Sequence, residues 1–285
     1  MDRRKLLQHY LPNPDELWRC LDETHTVVGG IAALLFLLRS ASALPSTLDV
    51  YVSSLHSDRL EQLLEEDLHL FLSDIEQNTD HLGHLVSRAA TFTISATRFI
   101  TIHTSQSVSS LEPIAITPVT ALANWVSPHA FACGYPSLTL RRRCIGAPPT
   151  GVHRNLIPIY HALRHLQFEI ASEPTHWQEY QARVPLPTTT SLHACLRQLY
   201  LCPSQGRFFG DPGSLLTVFD ILGADHNIMR ERHQLPYGIS IAWRLSTTHR
   251  SCDGPCSERD PILPENFLTL PTVMIGLDFQ FRVMY

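Results

Sequence analysis

The 285-residue chain predicts an α+β fold, a mixed sheet flanked by helices with a smaller α/β extension packed on it. Three observations carry that expectation. The first 75 residues alternate helix, strand, helix, strand, helix by their apolar periodicity. Two β-type runs follow between Thr91 and His103. Gly146-Ala147-Pro148-Pro149-Thr150-Gly151 then combines two prolines with two glycines, and this boundary places the domains at 1–150 and 151–285.

The elements are justified in chain order. Asp15 to Leu21 reads as a helix that starts at Asn13-Pro14, because proline suits a first helical turn. Thr26 to Val28 is a short β-branched run ending at Gly29-Gly30. Ile31 to Arg39 is apolar on nearly all sides, so as a helix it must be buried. Ala43-Leu44-Pro45-Ser46 breaks it, and Leu48 to Val52 is strand-like. Ser57-Asp58 caps an amphipathic helix with Leu60, Leu63, Leu64 and Leu68 inside and Glu61, Glu65 and Glu66 outside. Thr91-Phe92-Thr93-Ile94 and Arg98 to His103 alternate as a hairpin joined near Ser95-Ala96. Thr120 to Val126 reads as helical, and Cys133 to Leu140 as a turn-rich segment entering Arg141-Arg142-Arg143. Beyond the boundary, Leu156 to Ile170 and Leu192 to Leu201 read as helices. Arg183 to Thr190 is a connector, and Ile239 to Leu245 and Val273 to Met284 are strands.

Composition bounds the function. A formal net charge of -5 gives no general attraction to nucleic acid or anionic membranes. Seven cysteines, an odd number scattered over a long chain, read as free thiols in a reducing compartment. The longest apolar run, Ile31 to Leu38, is too short to span a bilayer, and the residues after the basic Met1–Lys5 are too polar for a secretory segment. The expectation is a soluble intracellular protein of the cytoplasm or nucleus.

The chemistry-bearing residues concentrate in Val27-Val28-Gly29-Gly30 and Ser46-Thr47-Leu48-Asp49-Val50-Tyr51-Val52. Side chains two apart on a strand point to one face, so Thr47 and Asp49 share a face. With that order and spacing the chain resembles the nucleotidyltransferase superfamily, whose pattern is a hydrophobic residue before a glycine pair, then an acidic pair on the following strand. Cys133 to Arg143, and Cys202-Pro203 with Arg207, Asp211, Gly213, Ser214 and Leu215, look like segments of a group of uncharacterised fungal proteins carrying the same core. The resemblance implies a nucleotidyltransferase-like fold, with Gly29 and Gly30 facing a nucleoside triphosphate and Asp49 ligating metal. In an active member it further implies Mg²⁺ ions held by three carboxylates. Thr47 stands where the first acid belongs, and the later strand, Arg98 to Thr104, offers Thr101 and His103 but no acid, while Glu112 lies beyond its end. The implied site is therefore degenerate. The expected function is a non-catalytic binding or interaction module that needs no cofactor; the alternative is an active Mg²⁺-dependent nucleotidyltransferase using a nucleoside triphosphate. The sequence points to no protein partner.

Other constellations carry less. His161 and His165 fall one helical turn apart without a third ligand, and His249, Cys252 and Cys256 supply three soft ligands of the four that a closed zinc site needs. Arg141-Arg142-Arg143 with Tyr135 nearby could contact phosphate and stack on a base, but a solvated edge partnered by surface acids is the simpler reading. Cys202-Pro203 and Arg207 to Leu215 read as a structured turn, with Asp211 accepting from Arg207.

Overall fold

A computed structural model describes residues 2–40, 44–77, 86–146, 156–181, 196–202, 205–219, 241–245 and 268–269. The N-terminal part runs α1 (Arg3–Gln8), α2 (Pro14–Glu23), β1 (Val27–Val28), α3 (Gly30–Leu37), β2 (Thr47–Val52), α4 (Ser57–Glu66), β3 (Phe71–Gln77), β4 (Val86–Ser95) and β5 (Arg98–Ser105). It continues through α5 (Glu112–Ala115), a 3₁₀ turn at Thr120–Leu122, β6 (Asn124–Val126), β7 (Ala130–Cys133), α6 (Pro136–Thr139) and β8 (Arg143–Ile145). Then come α7 (Ile157–His165), β9 (Glu169–Ala171), β10 (Arg207–Phe208), β11 (Leu215–Val218), β12 (Ile241–Trp243) and β13 (Leu268–Thr269).

The result is a mixed α+β fold built on one large sheet of order β11-β7-β6-β1-β2-β5-β4-β3. β2 runs antiparallel to β1 and parallel to β5, with six residue pairs from Thr47↔Phe99 to Val52↔Thr104. β4 and β5 form the long hairpin expected between Thr91 and His103. Smaller sheets join β10, β12 and β13, and β8 with β9. No helix among the described residues is long and apolar enough to cross a membrane.

One face of the central strands carries Leu48, Val50 and Val52 on β2, Ile100 and Ile102 on β5, and Ala90 and Phe92 on β4, all buried. Against them pack Leu6 and Leu7 of α1, Leu17 and Leu21 of α2, and Leu60, Leu63 and Leu64 of α4. Each helix supplies an apolar stripe at helical spacing, and that burial holds three short helices in place. α3 is apolar on all sides and buried through Ala32, Ala33, Leu34, Leu35 and Phe36, as its sequence requires. The opposite face of the sheet carries the polar residues described below.

Several elements differ from the sequence expectation. Of Thr120 to Val126, Thr120–Leu122 is a 3₁₀ turn, but Asn124–Val126 is a strand that returns on β7 through Ser127-Pro128-His129. Ser127 Oγ accepts from the backbone N–H groups of His129 and Ala130, at 3.2 and 2.9 Å, and this side-chain turn fixes the hairpin. The helix expected over Leu156 to Ile170 stops at His165, where Gln167 takes φ 63°, and Ile170 pairs instead with Cys144 in parallel register. α4 has His56 as its N-terminal flank, with no side-chain cap from Ser57. Of Leu192 to Leu201, the described residues hold a 3₁₀ turn at Arg197–Leu199. The connector at 183–190, most of the 146–151 boundary, the His249–Cys256 loop and the strand at 273–284 lie outside the described residues. α1 and β3 escape a periodicity reading, the first for its brevity and the second because all seven of its residues are exposed.

The turn around Arg207 is built as its sequence suggests. Arg207 donates from Nε to Asp211 Oδ2 at 2.6 Å and from Nη2 to Asp211 Oδ1 at 3.1 Å, with the two side chains 1% and 2% exposed. Arg207 also donates to the carbonyls of Gly134 and Tyr200 and sits over the rings of Tyr135 and Tyr200. Asp211 further accepts from the N–H groups of Phe208 and Gly213. Removing one partner leaves a buried charge without compensation. We predict that Asp211→Asn lowers stability by about 3–5 kcal/mol in urea denaturation, and that Arg207→Met with Asp211→Leu recovers much of the loss.

Among the described residues, Cys20, Cys133 and Cys144 are buried free thiols, in line with the expectation of free cysteines. Burial pushes the thiols of Cys133 and Cys144 up from 9.0 to about 11. A folded pKa above the unfolded one means that the neutral form is favoured by folding. The stability from these thiols is complete below about pH 9 and is lost as pH rises toward about 11. Urea unfolding between pH 8 and pH 11 is expected to decline by up to about 1.4 kcal/mol per pH unit per thiol, less steeply in a Cys133→Ala, Cys144→Ala double variant.

Candidate functional site

The site is built where β1 hands over to α3 beside β2. Gly29 is extended, at φ -126° and ψ -152°, and flanks the first turn of α3. Its N–H donates to the Asp49 carbonyl at 3.0 Å, tying the turn to β2. A Cβ on Gly29 would fall 2.4 Å from Cε2 of Tyr51, so the tyrosine ring lies directly on bare backbone. Gly30 has φ 61°, where other residues are strained, and a Cβ there would fall 2.5 Å from Asp49 Oδ2. Both glycines thus answer to residues of the neighbouring strand: Gly29 admits Tyr51 and Gly30 admits the carboxylate of Asp49.

The register of β5 on β2 completes the constellation. Asp49 lies opposite Thr101 and Tyr51 opposite His103. His103 Nε2 and Asp49 Oδ1 are 3.1 Å apart, with the two side chains 15% and 30% exposed. The imidazole stacks on the Tyr51 ring, centroids 4.8 Å apart and planes 22° from parallel. Burial first, and then the Asp49 carboxylate, drive the Tyr51 phenol upward from its usual pKa. Thr101 Oγ1 is 3.0 Å from Thr91 Oγ1 on β4.

Above these residues opens a cavity of about 420 Å³. Its floor holds Asp49, Thr101 and His103, with Asp74 and Glu76 on β3, and its apolar wall holds Ile31, Ile114, Leu122, Leu156 and Ile159. Strand register explains the floor. Asp49, Thr101, Thr91 and Asp74 form one row across β2, β5, β4 and β3, and Tyr51, His103, Ala89 and Glu76 form the next. Directly opposed residues share a face, so all three carboxylates stand on the cavity side. No lysine or arginine is among the described residues that line it.

The residues singled out by sequence therefore divide. Gly30 and Asp49 line the cavity together with Thr101 and His103. Gly29 is roofed by Tyr51. Thr47 lies opposite Phe99 at the start of β2 and is not part of the lining. Glu112 is buried and accepts from Ser105 Oγ at 3.0 Å, away from the cavity. Asp74 and Glu76 were not anticipated, because β3 has no buried face to betray its period; their alternation in Ser73-Asp74-Ile75-Glu76 is the one available signal.

The remaining constellations resolve structurally. Arg141 and Arg143 pair with Glu179, Arg142 donates to the Leu166 carbonyl at 2.6 Å, and Arg143 lies over the rings of Trp177 and Tyr180. Tyr135 is buried and its hydroxyl accepts from Trp243 Nε1 at 2.9 Å, so it presents no face for stacking on a base. His161 and His165 are exposed on α7. Among the described residues, no three His, Cys, Asp or Glu side chains converge on a metal-sized site.

No family model matches the chain, and no curated protein matches it. Among solved structures, the apo form of a CCA-adding enzyme is 14% identical with a TM-score of 0.39, covering 62% of this chain and 44% of that one. A CCA-adding enzyme in complex with CTP is 15% identical with a TM-score of 0.37, covering 60% of this chain and 43% of that one. These weak neighbours belong to the nucleotidyltransferase superfamily, and this chain spans less than half the length of either. At such values the likeness carries no argument about the site, which stands on its own geometry.

That geometry predicts the cost of closing the glycine gap. Gly30→Ala adds both left-handed strain and a collision with Asp49, and is expected to destabilise the fold by about 1–3 kcal/mol in urea denaturation. Combining it with Asp49→Ala removes the collision and leaves the strain, so the double variant should recover part of the loss.

Proposed function

We propose that this chain is a non-catalytic domain of nucleotidyltransferase-like fold, acting as a binding module through the cavity above Gly30 and Asp49. The observation that carries the reading is the neighbourhood of Asp49. Thr101 stands opposite it on β5, and His103 occupies its Oδ1. Two-metal chemistry needs several hard anionic oxygens around ions about 3.5–4 Å apart. Asp49 with a threonine and an imidazole is a poor donor set for that purpose. Losing one charge-stabilising group commonly costs on the order of 10²–10³ in rate, and here two acidic positions are neutral.

A second reading, metal-dependent nucleotidyl transfer, has one observation in its favour, namely that Asp74 and Glu76 share the cavity with Asp49. Strand spacing weighs against it. Asp74 stands three strands from Asp49, which at about 4.8 Å per strand is roughly 14 Å, too far to hold the same ion pair.

Three carboxylates and no described lysine or arginine in the lining also shape what binds. A bare triphosphate is repelled there, so a nucleoside triphosphate binds only with a divalent cation between its phosphates and Asp49. The test is the melting temperature of the purified chain with each of the four nucleoside triphosphates, with and without Mg²⁺ or Mn²⁺, beside Asp49→Ala. Ligand at a hundredfold its Kd stabilises the fold by about 2.7 kcal/mol. The expected result is a metal-dependent shift that disappears in Asp49→Ala, with no nucleotide incorporation into product. Incorporation lost in Asp49→Ala would establish the transferase instead, and no shift with any nucleotide would remove the nucleotide from the proposal.

A further inference from the structure

Among the described residues the large sheet ends at β3. All seven residues of Phe71–Gln77 are exposed. Phe71, Leu72 and Ile75 are 78%, 38% and 42% exposed, three large apolar side chains on a single strand. Among the described residues β3 pairs with β4 alone, so its outer side is a row of backbone groups of the kind that templates another strand. We propose that β3 is a docking edge for an extended basic segment of a partner protein, which adds as a further strand.

Charge complementarity selects the occupant. Asp74 and Glu76 lie two residues apart on the cavity face, while Leu72 and Ile75 follow the registers of Phe92 and Ala90 on the opposite face. A partner strand with lysine or arginine at alternate positions and apolar residues between them meets both faces at once, across Cβ separations of about 4.5–5.5 Å. The β3 strand of a second copy supplies apolar residues but not the cations. The β3 sequence, Phe-Leu-Ser-Asp-Ile-Glu-Gln, has no cation, so pairing it with itself crowds four carboxylates onto one face and adds no positive charge from either strand.

Local geometry fits an edge guarded against copies of itself and open to a basic strand. The register shifts between Leu72 and Asp74, and Ser73 Oγ donates to the Thr91 carbonyl at 2.9 Å, satisfying the irregularity from within. Asp74 Oδ1 accepts from the Ile75 N–H at 2.9 Å, which turns that carboxylate onto its own backbone. An incoming cation competes for this oxygen, and docking exchanges a local hydrogen bond for an interchain ion pair. Asp74 and Glu76 also line the cavity, so the peptide titration is run without nucleotide or metal and either proposal can fail alone.

The experiment titrates the full chain with a blocked heptapeptide alternating lysine and valine, following backbone amide shifts and heat. Controls are a glutamate–valine peptide and a lysine–serine peptide of equal charge. The expected result is saturable binding of the lysine–valine peptide with shifts centred on Phe71–Gln77, weakened about fivefold to tenfold by Asp74→Asn with Glu76→Gln at unchanged melting temperature. Equal binding of the lysine–serine peptide would reduce the effect to charge attraction and overturn the strand proposal. Equal binding of the glutamate–valine peptide, or no effect of the double variant, would overturn the selection by charge. A concentration-dependent dimer protected from hydrogen exchange at β3 would assign the edge to a second copy.

Discussion

The close approach of the first turn of α3 to β2 is the constraint from which the site follows. Gly29 donates its N–H to the Asp49 carbonyl, and the missing side chains of Gly29 and Gly30 leave room for the Tyr51 ring and the Asp49 carboxylate. With β2 held against β1 in this way, its parallel pairing with β5 sets His103 and Thr101 beside Asp49. A parallel pair needs a long connection, and here α4 and the β3–β4 hairpin lie between the two strands in sequence. The same connection delivers Asp74 and Glu76 to the far end of the floor.

The sheet also divides its labour by face. Leu48, Val50 and Val52 alternate with Asp49 and Tyr51, so one register serves both the core under α2 and α4 and the floor of the cavity. A slip by one residue would exchange the two sets, and burial of the aliphatic face opposes it. Far from the floor, Arg207 ties the turn at Asp211 to the carbonyl of Gly134 just after β7, so a segment distant in sequence is anchored beside the sheet by a charge pair that water does not reach. β11 then pairs with β7 at the opposite edge from β3. One edge strand thus comes from this chain's own C-terminal half, while the other, β3, carries exposed apolar and acidic side chains.

Much of the N-terminal fold was legible because burial and periodicity agree there. Leu60, Leu63 and Leu64 mark α4, the all-apolar run marks α3 as buried, and Thr-Phe-Thr-Ile with Phe-Ile-Thr-Ile marks the β4–β5 hairpin. Asn124–Val126 was misread because a short apolar run fits a helix and a strand equally well. What decided it was the Ser127 side chain building a turn and β7 offering a partner. Ile170 was drawn into a strand by Cys144, a pairing partner 26 residues earlier, against its place in a helical pattern.

In the site itself, the sequence by itself determined the order of parts: a glycine pair, a strand with Asp49, and a later strand carrying Thr101 and His103 in place of an acid. Those are local facts, fixed by backbone freedom at glycine and by the period of a strand. Tertiary structure alone decided that His103 reaches Asp49, that Gly29 serves Tyr51, and that Asp74 and Glu76 share the floor. The reason is register. Which residues face one another across a sheet depends on pairings between segments that are up to 54 residues apart for Asp49 and His103, and no local pattern encodes them.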